Sequence, residues 1–161
     1  MKKIVLGILL VVLFGCGDKP REESGYKIFE QNMQAKGYDM HMKRNESGNY
    51  QWRTGNGIFL YLTDTGSYSF TAPRGIERTN KRIEVFVKNL AIRACYGMFL
   101  SALGFDNDRD HPELEATSNE VLFSAWDDDD NEIKQGSYHG AKLSAANFPT
   151  NPPVYRCMIA F

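Results

Sequence analysis

Between residues 80 and 103 the chain carries its longest periodic pattern, and that pattern dictates what the rest must supply. Ile83, Phe86, Val87, Leu90, Ala94 and Met98 recur at helical spacing, with Lys81, Glu84 and Lys88 opposite. Apolar residues every three to four positions make one stripe of an α-helix. Gly104 follows as a stop signal, because glycine tolerates the left-handed conformation that ends helices. The last two turns are apolar nearly all round, so that end is expected to be deeply buried. Ile83–Val87 alone would also suit a strand, but the helical period continues well past it. A helix with such a stripe needs a second layer to cover it.

The second layer is legible as a period of two. Met40 and Met42 alternate with polar residues, Asn45–Asn49 reads as a turn, and Tyr50 and Trp52 resume the alternation. Ile58–Thr63 is a stronger strand, Asp64-Thr65-Gly66 a turn, and Tyr68, Phe70 and Ala72 alternate up to Pro73. Together these predict an antiparallel meander of about four strands. Val121–Trp126 is expected to add another. After Asn151-Pro152-Pro153 comes a last strand, Val154–Phe161, in which Tyr155, Cys157, Ile159 and Phe161 share the apolar face. Ser24 is placed to cap a short N-terminal helix with Tyr26, Phe29 and Met33 on one face and Gly37 at its end. The expected class is α+β. An antiparallel sheet of about five to six strands is packed by the long helix, about 80–103, and by the short N-terminal one.

The first 24 residues stand apart from this domain. Lys2 and Lys3 precede an apolar run from Ile4 to Phe14. Such a run, taken as helix, rises about 16 Å, roughly half of a hydrocarbon core about 30 Å thick. It is too short to span and reads as an export signal. Leu13-Phe14-Gly15-Cys16 resembles the lipobox of bacterial lipoproteins, with Gly15 as the small residue before the cysteine. The resemblance covers residues 1–16. It implies cleavage before Cys16, a diacylglyceryl thioether on that residue and usually an N-acyl chain. One acyl chain holds marginally and two or more hold stably, at about 0.8 kcal/mol per buried methylene. Gly17 stands where an aspartate would signal inner-membrane retention in that family, which favours the outer membrane. Gly17–Ser24 offers nothing apolar for a core and is expected to be a solvated tether. The expected organisation is therefore signal peptide 1–15, lipidated cysteine and tether 16–24, and one periplasmic domain, 25–161.

Removing residues 1–15 leaves 146 residues, enough for one domain with a substantial core. The remaining charge is 17 basic minus 20 acidic residues, or −3. Nothing in that balance supports nucleic-acid binding by counterion release. With Cys16 lipidated, Cys95 and Cys157 remain, and an oxidising envelope makes a disulfide between them the default over two buried free thiols. Cys95 sits at the edge of the long helix's apolar stripe and Cys157 on the apolar strand face, so the bond would staple helix to sheet. No spaced Cys/His set for zinc is present.

Two acidic segments are candidates for chemistry. Asp106, Asp108 and Asp110 alternate like the start of a calcium loop, which collects six to eight oxygens. The pattern lapses at His111 and Thr117, where an EF-hand needs glycine and glutamate. The run Asp127, Asp128, Asp129, Asp130, Asn131, Glu132 reads as a turn between two strands. Read functionally, it is a candidate docking surface for a basic protein partner, which would be steered by charge and sensitive to salt, or a metal-binding loop. Lys134–Gly140 is expected to be its flexible tail. His41, His111 and His139 lie in no catalytic motif: no Gly-x-Ser-x-Gly, His-Glu-x-x-His or phosphate loop occurs. Catalysis would require His41 or His139 in a pocket beside a carboxylate. The expected task is therefore binding another protein, as an assembly factor or as an immunity or inhibitor protein, without catalysis. The alternative is binding calcium or a small ligand through the aspartate-rich loops.

Overall fold

The computed structural model describes residues 21–55, 57–74, 81–106, 109–128, 131–151 and 153–161. The signal segment 1–15, Cys16, Asp108, Asp129 and Asp130 lie outside them. The described chain is α+β. It runs α1 (Arg21–Ala35), β1 (Lys43–Arg44), β2 (Tyr50–Thr54), β3 (Gly57–Leu62), β4 (Ser67–Pro73), α2 (Lys81–Ala102), α3 (Pro112–Asp127), β5 (Lys134–Tyr138), β6 (Ala141–Phe148) and β7 (Val154–Ala160). Among the described residues the strands form one seven-stranded sheet, ordered β1-β2-β3-β4-β7-β6-β5. Every neighbouring pair is antiparallel.

The register puts alternate residues of all the central strands on one apolar face. Trp52, Phe59, Phe70, Cys157 and Ala145 lie opposite one another in a single row across it. The three helices cover this face. Phe29 of α1 packs its ring on Phe59 and Tyr68, at 5.7 and 5.2 Å between centroids. Cys95 of α2 is joined to Cys157 of β7, with their Cα atoms 6.0 Å apart. The Tyr155 hydroxyl of β7 donates to the Leu122 carbonyl of α3 at 3.0 Å. Cys95, Met98, Phe99, Leu114, Leu122, Leu143, Tyr155, Cys157 and Ile159 are fully buried between the layers.

Two helix ends follow the same design. Gly37 and Gly104 adopt positive φ, 86° and 81°. Each hands its amide, and that of the next residue, back to the last helical carbonyls: Gly37 to Gln34 and Tyr38 to Met33, Gly104 to Ser101 and Phe105 to Leu100. This is the Schellman arrangement, and it brings the residue after the glycine onto an apolar residue of the last turn.

Several sequence expectations are corrected. Val121–Trp126 is not a strand but the end of α3, because Leu114, Ser118, Val121, Leu122, Ala125 and Trp126 repeat at helical period and are all buried. Pro112 at its start, with Glu113 and Glu115 in its first turn, suits a helix N-terminus. The sheet has seven strands rather than five to six, since Lys134–Gly140 and the residues after it form a hairpin instead of a flexible tail. Its two-residue turn, His139-Gly140, has φ of 47° and 86°, which matches the twist of the flanking strands. The acidic run thus joins a helix to a strand, not two strands. Met40 and Met42 are buried but precede β1 rather than forming a strand. α1 begins at Arg21, so Ser24 lies inside it and residues 21–24 are helix rather than tether, while the rest of the expected tether, 17–20, lies outside the described residues.

Burial holds the phenols of Tyr68 and Tyr155 protonated far above the ordinary tyrosine range, with neighbouring Tyr61 adding to the effect at Tyr68. A group that ionises more easily unfolded than folded withdraws stability as pH rises past its unfolded value, about 10 for tyrosine. Absorbance titration should show these two phenols ionising only together with loss of folded structure. A single phase near the ordinary value, with circular dichroism unchanged, would refute their burial.

Candidate functional site

Two regions bring chemistry-bearing side chains together. The first is the corner where α3 ends and β5 begins. Asn147 of β6 reaches up from the sheet and donates its Nδ2 to the carbonyls of Ala125, Trp126 and Asp128, at 2.7, 3.1 and 2.9 Å. Those are orphan acceptors of a helix C-terminus, satisfied here by a side chain. The clamp fixes the start of the acidic run. Asp127 pairs with Lys88 of α2, and Lys134 bridges Asp128 and Glu132. Hydrogen bonds to those two carboxylates hold the Lys134 ammonium well above its ordinary pKa.

Three of the described acids are therefore partnered within the chain. The run is still acidic: residues 127–134 hold five acids and one lysine, and adding Lys88 leaves −3. Sequence reasoning misses the apolar component. Phe123 lies one helical turn before Asp127, is 39% exposed, and carries the Lys88 ammonium 5.2 Å from its ring centre. Ile133, beside Glu132, is 58% exposed. Two large exposed apolar side chains thus flank the acidic run in the chain.

The second region surrounds Trp52. The Schellman turn after α1 puts Tyr38 against Met33, and further bonds fix the loop: Gln34 Nε2 to the Met40 carbonyl at 2.7 Å and the Met42 amide to Glu30 at 2.7 Å. On one side of Trp52 is an open polar cleft of about 410 Å³ lined by Asp39, His41, Lys43, Gln51 and Arg53. His41 Nε2 lies 3.2 Å from Asp39, with side chains 70% and 97% exposed. This is an imidazole–carboxylate pair in open solvent. No hydroxyl or thiol lines that cleft among the described residues. On the other side is an apolar cleft of about 450 Å³ between α1, α2 and the sheet.

The other candidates are not brought together. Asp106 and Asp110 are exposed on the α2–α3 connection. Among the described residues no group of three His, Cys, Asp or Glu side chains is arranged to hold a metal. His111 stacks on Phe105, with centroids 3.5 Å apart, and His139 stacks on Tyr138 at 4.2 Å. Both rings join an aromatic cluster at the hairpin tip. Among the described residues no helix is long and apolar enough to cross a membrane. No protein-family model matches the chain, and no curated protein or solved structure matches it.

Proposed function

We propose that this chain is an envelope lipoprotein, acylated at Cys16 and held at the outer membrane facing the periplasm, whose domain binds another protein without catalysis. The partner surface is the α3–β5 corner. The observation that carries this reading is the pairing of exposed Phe123 and Ile133 with the acidic residues 127–132. Protein interfaces bury a few aromatic or aliphatic anchors inside a polar rim, and a rim of one sign steers an oppositely charged partner. A basic assembly component, or a basic envelope-attacking enzyme to be neutralised, has the complementary chemistry.

A photo-reactive amino acid at position 123, used in intact cells, tests the surface. The expected result is an adduct with one protein, weakened at high salt and lost in an Ile133→Ser, Asp127→Asn, Glu132→Gln variant. Adducts at a control position, Tyr38, but none at 123 would move the interface elsewhere. The anchor is tested separately: Cys16→Ser should abolish acyl labelling, and labelling that persists would refute lipidation there.

A further inference from the structure

We propose that the apolar cleft beside Trp52 binds a small aromatic anion, its ring against the aromatic wall and its charge at Lys36 and Arg93. This site is separate from the acidic corner and does not depend on it. The wall comes from three directions. Trp52, Phe59 and Phe70 follow one another across β2, β3 and β4, with centroid spacings of 5.7 and 4.5 Å. Tyr38 and Met33 close the α1 side, and the cleft's volume is about 450 Å³, within the range of small-molecule sites. Rings on several sides favour a flat π-system over a flexible chain, because offset aromatic contacts add to the area they bury.

The charge is equally one-sided. Lys36 and Arg93 line the cleft, and no carboxylate does among the described residues. Both are exposed, and neither has an ion-pair partner among the described residues. An aromatic carboxylate would stack inside while its anion meets these two cations.

Gly97 is the residue that keeps the space open. Along α2 the cleft is lined by Leu90, Ala94 and Gly97, so the wall recedes turn by turn. Glycine inside a helix is less stable than alanine by about 0.5–1 kcal/mol. Packing does not require it here, because a Cβ at this position would meet nothing within 4 Å. A larger side chain would therefore fit the fold and fill the cleft, which separates loss of binding from loss of folding.

Calorimetric titration of the purified full chain with 2-naphthoate, its uncharged isostere 2-naphthamide and decanoate tests the assignment. Naphthoate should bind at one site, more tightly than either of the others. Lys36→Gln with Arg93→Gln should weaken naphthoate about fivefold, the scale of two exposed charge contacts, and leave naphthamide unchanged. Gly97→Leu should weaken both aromatic compounds by at least about tenfold, with the melting temperature kept or raised. Gly97→Ala should raise the melting temperature and retain binding. No naphthoate binding at millimolar concentration, or binding unaffected by Gly97→Leu, would overturn the site. Tighter binding of decanoate than of naphthoate would overturn the aromatic specificity.

Discussion

Replacing Cys95 and Cys157 together with alanine should lower the unfolding free energy by about 4 kcal/mol, the loop-entropy value for a bond spanning so much chain. The two residues are 62 apart in sequence and both are fully buried. In a domain of this size each kcal/mol is worth about 3 °C, so the melting temperature should fall by about 12 °C. The loss is concentrated because the bond joins the helical layer to the middle of the sheet. Without it, the unfolded chain is free to separate α2 from β7 by its full contour. Chemical denaturation with and without reductant measures the term directly in the unmodified protein. Peptide mapping without reduction should show the two cysteines linked. A loss below about 1 kcal/mol would mean that apolar contacts alone dock α2.

Asn147→Asp should be about as damaging at neutral pH and nearly harmless in acid. The Asn147 amide nitrogen meets three carbonyl oxygens at the end of α3, and its own Oδ1 has no partner among the described residues. A carboxylate there would be buried against three acceptors and the negative end of a helix dipole, beside Asp127 and Asp128. Leaving one buried charge so unpaired costs about 3–5 kcal/mol. The substituted carboxyl would be held neutral in the folded state, raising its pKa above the unfolded value of about 3.9. The penalty is therefore absent below that value and grows as pH rises above it. Asn147→Ala, which loses the hydrogen bonds without adding charge, should cost about 2 kcal/mol at any pH. Denaturant melts of both variants and the parent at pH 3.5 and pH 7 separate the two effects. Equal destabilisation of the Asp variant at both pH values would refute the clamp geometry.

Much of this fold is legible in the sequence where one physical rule acts over a long window. α2 is a helix of 22 residues as its period predicts, although Phe86 of the predicted stripe is 67% exposed. β7 alternates cleanly because one of its faces is fully covered. The disulfide partners could be placed on those two elements before any contact was known. The failures occur where the signal is short or diluted. Val121–Trp126 alone reads as a buried strand. Its helical partners, Leu114 and Ser118, lie further back, and Ser118 breaks the apolar stripe with a buried hydroxyl. β6 alternates Ala141, Leu143, Ala145 and Asn147, a core face made mostly of small residues and one amide. The hairpin before it turns on His-Gly rather than the usual Asn-Gly. The candidate sites are harder still. Lys88 reaches Asp127 across 39 positions, and Gly97 and Trp52 meet at one cleft only because α2 lies along the β2–β4 end of the sheet. No local pattern encodes such meetings.

β7 is the last described strand in chain order, yet it lies between β4 and β6. β4 and β6 never pair, so the meander of β1–β4 and the hairpin of β5 and β6 are separate half-sheets until residues 154–160 arrive. Five of the six ladders join strands consecutive in the chain, and only β4 with β7 joins distant segments, Phe70 opposite Cys157; non-local pairings of that kind are the slow ones to form. The two halves of the domain can therefore pair locally, but their union into one sheet should come late, once β7 is available. Until then its half-sheets expose unpaired edges, which makes the interval before closure the point of greatest exposure to aggregation and to chaperones. The last strand is thus the one whose arrival turns two partial sheets into a single one.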